Sequence, residues 1–345
     1  MKFERRDLTE IEGAILAHNI SDANGTRILH KGTRLSSGDI IALQELGRES
    51  VYIAELEPGD VGEADAARTS AELIRGDHIR LVGAVTGRTN LLAETMGMLQ
   101  IDVDRLDRLN AVSGFTISTL HDSSVVSERQ MVASIKIIPY GISSEEMQSI
   151  REITGSEPVV SIRTLPSRRV HLMLLGGAPI LDRLESDFRG PLGDRVSALG
   201  SNLIAIHRVA TDGEDPVQEI LHGLEALRDE PPDLLIMAGE TAIMDPRDVI
   251  PTAIELAGGE VTVTGAPVDP GNLLMIAYLN NIPILGAPGC ARSPQENVVD
   301  WILPRLLSGE RLQHADITSM GHGGLLQEIK ERPSPRSMAR SENDA

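Results

Sequence analysis

The sequence predicts an α/β protein. Its C-terminal half should be a mostly parallel sheet covered on both faces by helices, and its N-terminal half a mixed α+β region. Three observations lead there. From residue 170 onward, short buried-strand runs alternate with stretches of helical spacing. Several of those runs end in glycine-bearing loops, as strands entering helices do. At 345 residues the chain is too long for one small core, so two domains, or one with a large appendage, are expected.

The N-terminal half is the less regular. "LHKGTRLSSGDIIALQELGRESVYIAEL" suggests a turn, a helix capped by Ser36 or Ser37, and a strand from Ser50. "DVGEADAARTSAELIRG" reads as a helix, and "MVASIKIIPYGI" as a long strand or a strand pair. "TGRTNLLAE", residues 86–94, reads as a loop entering a helix. Arg88 and Asn90 there are either ligand contacts or parts of a turn and cap. Prolines, serines and arginines cluster in "ITGSEPVVSIRTLPSRRV", which marks the boundary. The expected domains are 1–165, 166–312, and an extension over 313–345 that ends in a flexible tail, "KERPSPRSMARSENDA".

In the C-terminal half "VHLMLLGG" is a buried strand, and "NLIAIHRV" another after a helical stretch. "DPVQEILHGLEALRDE" has apolar residues at helical spacing, and "DLLIMAG" is again a buried strand. "DPRDVIPTAIELAGG" predicts a helix with Asp245 as N-cap, Pro246 at its first position and Gly258 at its stop. "EVTVTG" alternates as a strand, and "LLMIAYLNNIPILGA" reads as two strands about an Asn280–Asn281 hairpin, adding an antiparallel strand at one edge. Ser293 and Pro294 should open the helix of "SPQENVVDWILPRLLSG".

Composition narrows the function classes. There are 32 basic against 51 acidic residues, net −19, which argues against a nucleic-acid or anionic-membrane surface. A local anion site survives that argument, because a few N–H groups and one arginine suffice for a phosphate. One cysteine permits no internal disulfide and no cysteine-rich metal site, and the histidines show no metal-ligand spacing. The start is charged rather than apolar, and no stretch approaches a membrane span. A soluble cytoplasmic protein is expected.

In open α/β sheets ligands bind beyond the carboxyl ends of the strands. Gly176 and Gly177, Gly239 to Thr241 with Glu240 between them, and the loop of Pro288, Gly289, Cys290, Ala291, Arg292 and Ser293 fall at such ends. Asp269, Gly271 and Asn272 form a fourth loop with turn chemistry. The last two of these strand-end loops, at Gly239 and at Pro288, each precede an expected helix N-terminus, which favours a phosphate or other anion. Each piece also has a plain reading. Glycines after strands are commonly turns, and Arg292 alone could be a solvated loop residue. Asp245 and Asp248, one helical turn apart, are either cap and dipole partner or catalytic and Mg²⁺-positioning carboxylates. Cys290 reads as a small packing residue rather than a nucleophile, with no histidine near it in sequence.

Together "AGETAIMDPRDVIPTAIELAGGE", "GAPVDPGNLL" and "LGAPGCARSPQENVVDWILPRLLSG" resemble the molybdopterin-binding domain of molybdenum cofactor biosynthesis proteins. That superfamily contains molybdopterin adenylyltransferase and molybdopterin molybdotransferase. The domain would span residues 170–309. A subfamily related to molybdenum cofactor cytidylyltransferase fusions is similar over nearly the whole chain, through "LHKGTRLSSGDI", "TGRTNLLAE", "KIIPYGI" and "GHGGLLQEIKERPSPR". The resemblance implies a three-layer α/β/α domain with the pterin at the strand ends. It implies an active-site role for Asp248 and an anion-cradling role for 287–293. Two departures weaken adenylyl transfer more than pterin binding: Glu240 stands in a loop that is Gly-Gly-rich in the wider family, and its Asp-Ser-Asn signature is missing between Pro179 and Asn202.

The function so implied is molybdopterin binding in late cofactor assembly. If catalytic, the protein would be a molybdopterin nucleotidyltransferase using ATP or CTP, or a molybdotransferase. Otherwise it is a non-catalytic carrier serving a molybdenum hydroxylase or a cytidylyltransferase, with the acidic N-terminal half as docking module. A nucleotide hydrolase of the same fold is a third, weaker idea. A homo-oligomer is expected by the same resemblance.

Overall fold

The computed structural model describes residues 1–326. The expected tail, 330–345, lies outside the described residues. The chain divides into two compact units, Met1–Thr164 and Leu165–Ala345.

The first unit is antiparallel β with short helices. Lys2–Asp7 and Ile15–Leu16 flank Ser50–Glu55, and Leu16, Leu43 and Ile53 share a small core. Ser36 caps the helix Ser37–Glu45 in a box with Asp39. A four-stranded sheet follows, ordered Phe115–Thr119, Met131–Ile137, Arg88–Ala93, Ile79–Val85. Its buried face packs with the helix Glu63–Ile74, which offers Ala66, Ala67, Ser70, Ala71 and Ile74. Small side chains at that spacing form one narrow face that can approach a sheet closely. "MVASIKIIPYGI" resolves into a strand pair, with Gly141–Ile142 on Val61–Gly62.

One expectation here is corrected. "TGRTNLLAE" enters a strand, not a helix. Thr86 and Gly87 have φ of 57° and 66° and make the tight turn of a hairpin. Thr89, Leu91 and Ala93 are then buried while Arg88 and Glu94 are exposed. That alternation has the period of a strand, and it outweighs the helix propensity of Leu, Ala and Glu.

The second unit is built on a mixed six-stranded sheet, ordered Asn202–Ala210, Arg169–Gly176, Leu234–Gly239, Ile282–Gly286, Met275–Leu279, Glu260–Thr264. The first four run parallel. Met275–Leu279 is antiparallel to both neighbours, so one strand alone is reversed. The expected hairpin forms, with Asn280 and Asn281 at φ 51° and 66°. Its reversed strand is not at the edge, however, because Glu260–Thr264 pairs outside it.

Alternate residues of Arg169–Gly176 enter two cores. Val170, Leu172 and Leu174 join Phe188, Leu192 and Ile302 from the helices Leu181–Ala198 and Val298–Leu307. Met173 and Leu175 join Ile220, Leu224 and Ile254 from Pro216–Ala226 and Val249–Leu256. A strand buried on both faces must be apolar throughout, as "VHLMLLGG" is, apart from one histidine.

Two helix starts differ from expectation. Asp248, not Asp245, is the N-cap of Val249–Leu256. The helix after Cys290 begins at Val298, capped by Asn297 in a box with Asp300. Ser293 instead ends a short 3-10 turn, Gly289–Arg292. In both places the nearer Asp or Ser to Pro looked like a cap, but the residue that meets the free N–H groups lies three or four positions later.

The exceptional histidine carries a prediction. His171 is buried, its Nδ1 lies 3.1 Å from His207 Nε2, and its own Nε2 has no partner. Burial lowers the pKa of both rings below the ordinary value of 6.5, and in His171 the neighbouring ring adds to it. The unfolded chain therefore takes up protons below pH 6.5 that the folded chain refuses. Stability should be level above that pH and fall as pH drops through the folded pKa values. Urea unfolding should show His171→Leu with a flatter pH dependence between roughly pH 6.5 and 5; an unchanged slope would clear the pair of this role.

Candidate functional site

Three neighbouring parallel strands end together. Leu175 is in register with Gly239, and Met237 with Gly286. Gly176 and Gly177, Gly239 to Thr241, and the 287–293 loop thus meet on one rim. The rim is stitched by backbone bonds: Glu240 N–H donates to Leu175 O at 3.0 Å, and Ala287 N–H to Met237 O at 2.8 Å. Gly286 is needed where the 240–248 segment leans over the rim. A Cβ there would lie 2.8 Å from Ile243 Cδ1 and from Met275 Cβ.

The 288–293 loop is held rather than loose. Arg292 Nη2 donates to Gly239 O at 3.2 Å, and its guanidinium stands 4.8 Å over the Phe188 ring. Nη1 is 3.7 Å from Asp187 Oδ2, while Nε is buried with no acceptor. Arg292 therefore straps two rim loops together and is not a pendent cation. Gly289, by contrast, is open: a Cβ on it would meet nothing within 4 Å, and its amide has no acceptor among the described residues. Cys290 is half-buried, with its carbonyl accepting from Ser293 N–H at 2.9 Å. Pro288 and Ala291 are buried beneath the same turn.

The two aspartates are engaged locally. Asp245 accepts from Arg247 N, Nε and Nη2 at 2.8, 2.8 and 3.0 Å. Those bonds hold its pKa down at about 2. Asp248 accepts from Val249 N at 2.8 Å and from Met244 N at 3.3 Å. No group of three or more His, Cys, Asp or Glu suited to a metal occurs among the described residues.

The fourth loop is braced from two sides. Val298 N–H donates to Pro270 O at 3.1 Å, Asp269 N–H to Gly324 O at 2.8 Å, and Leu326 N–H to Asp269 O at 2.9 Å. Asn272 closes the turn, its carbonyl accepting from Ala266 N–H at 2.9 Å.

Several shaping residues escaped sequence reasoning. Arg195, from Leu181–Ala198, donates to Asp300 at 2.8 and 3.2 Å, to Gln295 O at 2.9 Å and to Ala291 O at 3.4 Å. Asn297 is fully buried and donates to Gln295 O at 2.9 Å. Asp212 accepts from Ala178 N–H at 3.1 Å and stands beside Gly177. The spacing of "NVVD" could have revealed the Asn297 cap. Nothing local marks Arg195, whose partners Ala291, Gln295 and Asp300 lie about a hundred residues away. Asp212 sets a carboxylate beside Gly177, which disfavours an anion at that end of the rim.

Residues 7–55 match a family model described as Domain of unknown function (DUF8806). No curated protein matches the chain. Among solved structures the chain is similar to the molybdopterin biosynthesis MoeA protein from Pyrococcus horikoshii, at 14% identity and TM-score 0.31, over 89% of this chain and 75% of that one. A molybdenum cofactor biosynthesis protein from Pyrococcus furiosus is similar at 13% identity and TM-score 0.23, over 90% and 66%. A second structure of the Pyrococcus horikoshii MoeA protein is similar at 9% identity and TM-score 0.26, over 89% and 74%.

Proposed function

We propose that the second unit binds molybdopterin, or its nucleotide form, at the carboxyl rim of its sheet, in a late step of molybdenum cofactor assembly. The observation that carries this reading is the convergence of three glycine-bearing strand-end loops with an open Gly289 amide that has no acceptor among the described residues. The motifs of those loops resemble the pterin-binding domain, whose three-layer arrangement the reading adopts. The phosphate end of the pterin would take the Gly289 amide, in a loop already shaped by Arg292 and Arg195. Where substrate binds through positioned backbone donors, catalysis needs only alignment and charge neutralisation.

A carrier role is favoured over group transfer by one specific observation. Asp245 is committed to Arg247, and Asp248 to the start of its helix. A carboxylate so engaged is a cap before it is a base or a metal ligand.

One experiment tests both points. The protein is incubated with molybdopterin, ATP or CTP, Mg²⁺ and molybdate, and retained ligand and products are identified by mass. Gly289→Asp adds a carboxylate in open space, so the fold should persist while pterin retention falls at least roughly tenfold. Equal retention would remove the loop from the site. Asp248→Asn keeps a good cap, so stability should change by under about 1 kcal/mol. A carrier then retains pterin unchanged, whereas loss of product formation in that variant would make Asp248 catalytic.

A further inference from the structure

The four-stranded sheet of the first unit has two unlike faces. Leu91, Phe115, Ile117, Ile135 and Ile137 point into the core. The other face carries Thr116, Lys136 and Arg88 in one cross-strand row, and Ser134 and Asn90 in the next. Arg88 and Lys136 are thus direct cross-strand partners of like charge, an arrangement that destabilises a sheet. Lys136 is relieved by Glu63 Oε2 at 3.2 Å and Thr86 O at 2.6 Å. Neither Arg88 nor Lys31, across the same groove, has an ion-pair or hydrogen-bond partner for its side chain among the described residues. Asn90 Oδ1 accepts from Ser134 Oγ at 2.8 Å, which leaves its two N–H donors.

These groups line a groove of about 1470 Å³. The chain has only three Phe, three Tyr and one Trp, yet Phe3 and Tyr140 both line this groove, while Phe115 borders it with its side chain buried in the core. Tyr140 is fixed by donating from Oη to Ala17 O at 2.8 Å. Phe3 is 50% exposed but held, stacked on Tyr52 at 6.0 Å with His18 edge-on at 5.9 Å. Held, exposed rings are surface for a planar ligand, because no ordering entropy remains to be lost on binding. Unneutralised cations in a chain of net −19 point the same way. Over the screening length of about 8 Å at physiological salt, the lining groups decide the local field, and Glu63, the carboxylate among them, is paired with Lys136, which leaves Arg88 and Lys31.

We propose that this groove binds a nucleoside phosphate, with the base on the aromatic wall and the phosphates on Arg88 and Lys31. Asn90 would donate to the ligand from the sheet floor. The site lies wholly in the first unit and stands apart from the pterin reading of the second.

The test is isothermal titration of the full chain with ATP, CTP, adenosine and tripolyphosphate at about 150 mM salt. Saturable binding of ATP or CTP is expected, weakened tenfold or more by Arg88→Gln and by Lys31→Gln. Arg88→Gln removes a like-charge pair, so its fold should persist, which circular dichroism checks. Phe3→Ala should weaken nucleotide binding and leave tripolyphosphate unchanged. Arg151→Gln, an exposed change on the helix Ser144–Thr154 and outside the groove lining, should bind as the unaltered chain does. Absence of saturable nucleotide binding, or an Arg88→Gln affinity within twofold of the original, overturns the proposal. Tripolyphosphate binding as tightly as ATP also overturns it, since no base would then be recognised.

Discussion

Gly271→Ala is expected to destabilise the second unit by about 3 kcal/mol, the sum of overpacking and backbone strain. Its backbone has φ of 139°, in the region that favours glycine. A Cβ there would overlap Val298 Cβ and Cγ1 and lie 3.1 Å from Val298 N. Val298 cannot retreat easily, because it is the buried first residue of its helix and its N–H donates to Pro270 O. Trp301, the only tryptophan of the chain, sits in the same helix, so its fluorescence in urea reports on this unit directly. A loss under about 1 kcal/mol would show that the 266–272 loop can move off the helix. The exposed neighbour Asn272 provides the contrast, since Asn272→Ala removes one weak bond of 3.4 Å to Ala266 O.

The elements that sequence placed best were those decided by their own residues. "VHLMLLGG" is apolar at every position but one because both its faces are covered, and its short length and closing glycines mark such a run as a strand. The Asn280–Asn281 hairpin was legible because Asn tolerates the left-handed region that the turn requires. Its place in the sheet was not legible. The outer strand Glu260–Thr264 pairs across a long loop, and strand order is a tertiary choice. The helix starts failed for a related reason. Asp245 and Ser293 each precede proline and fit a cap locally, but Asp245 is drawn to Arg247 and Ser293 closes a 3-10 turn.

The candidate site was legible as glycine punctuation and opaque as electrostatics. Gly239 and Gly286 stand where strands end, and backbone registers alone bring them together. Arg292 reads locally as either a phosphate contact or a solvated loop residue, and it engages Gly239 O, Phe188 and Asp187. Its partners come from a strand end and a helix far off in sequence, which no local pattern encodes. In the first unit the reverse holds. The motif "TGRTNLLAE" offers Arg88 and Asn90 as ligand contacts but suggests a helix, and the strand is what aligns them on one face.

Arg195→Met is expected to cost about 2–3 kcal/mol while loosening the 288–297 loop. Methionine keeps the apolar stem and removes the charged fork. The variant forfeits both bonds to Asp300 and those to Gln295 O, Ala291 O and Pro191 O. The Arg195 side chain is only 9% exposed, against 31% for Asp300, so solvent rescues the abandoned carboxylate in part. Asp300 also accepts from Asn297 N at 2.9 Å, which keeps the helix cap in place when the arginine is gone. The defect should therefore fall on the loop rather than on the helix. Pterin retention should drop more than the stability loss alone would give, because a loop that samples several shapes binds with its competent fraction only. A double-mutant cycle with Asp300→Asn isolates the pair by urea unfolding, and a coupling of about 1–2 kcal/mol is expected. Additive losses would mean that Arg195 acts through the backbone carbonyls of 291 and 295 and not through its carboxylate.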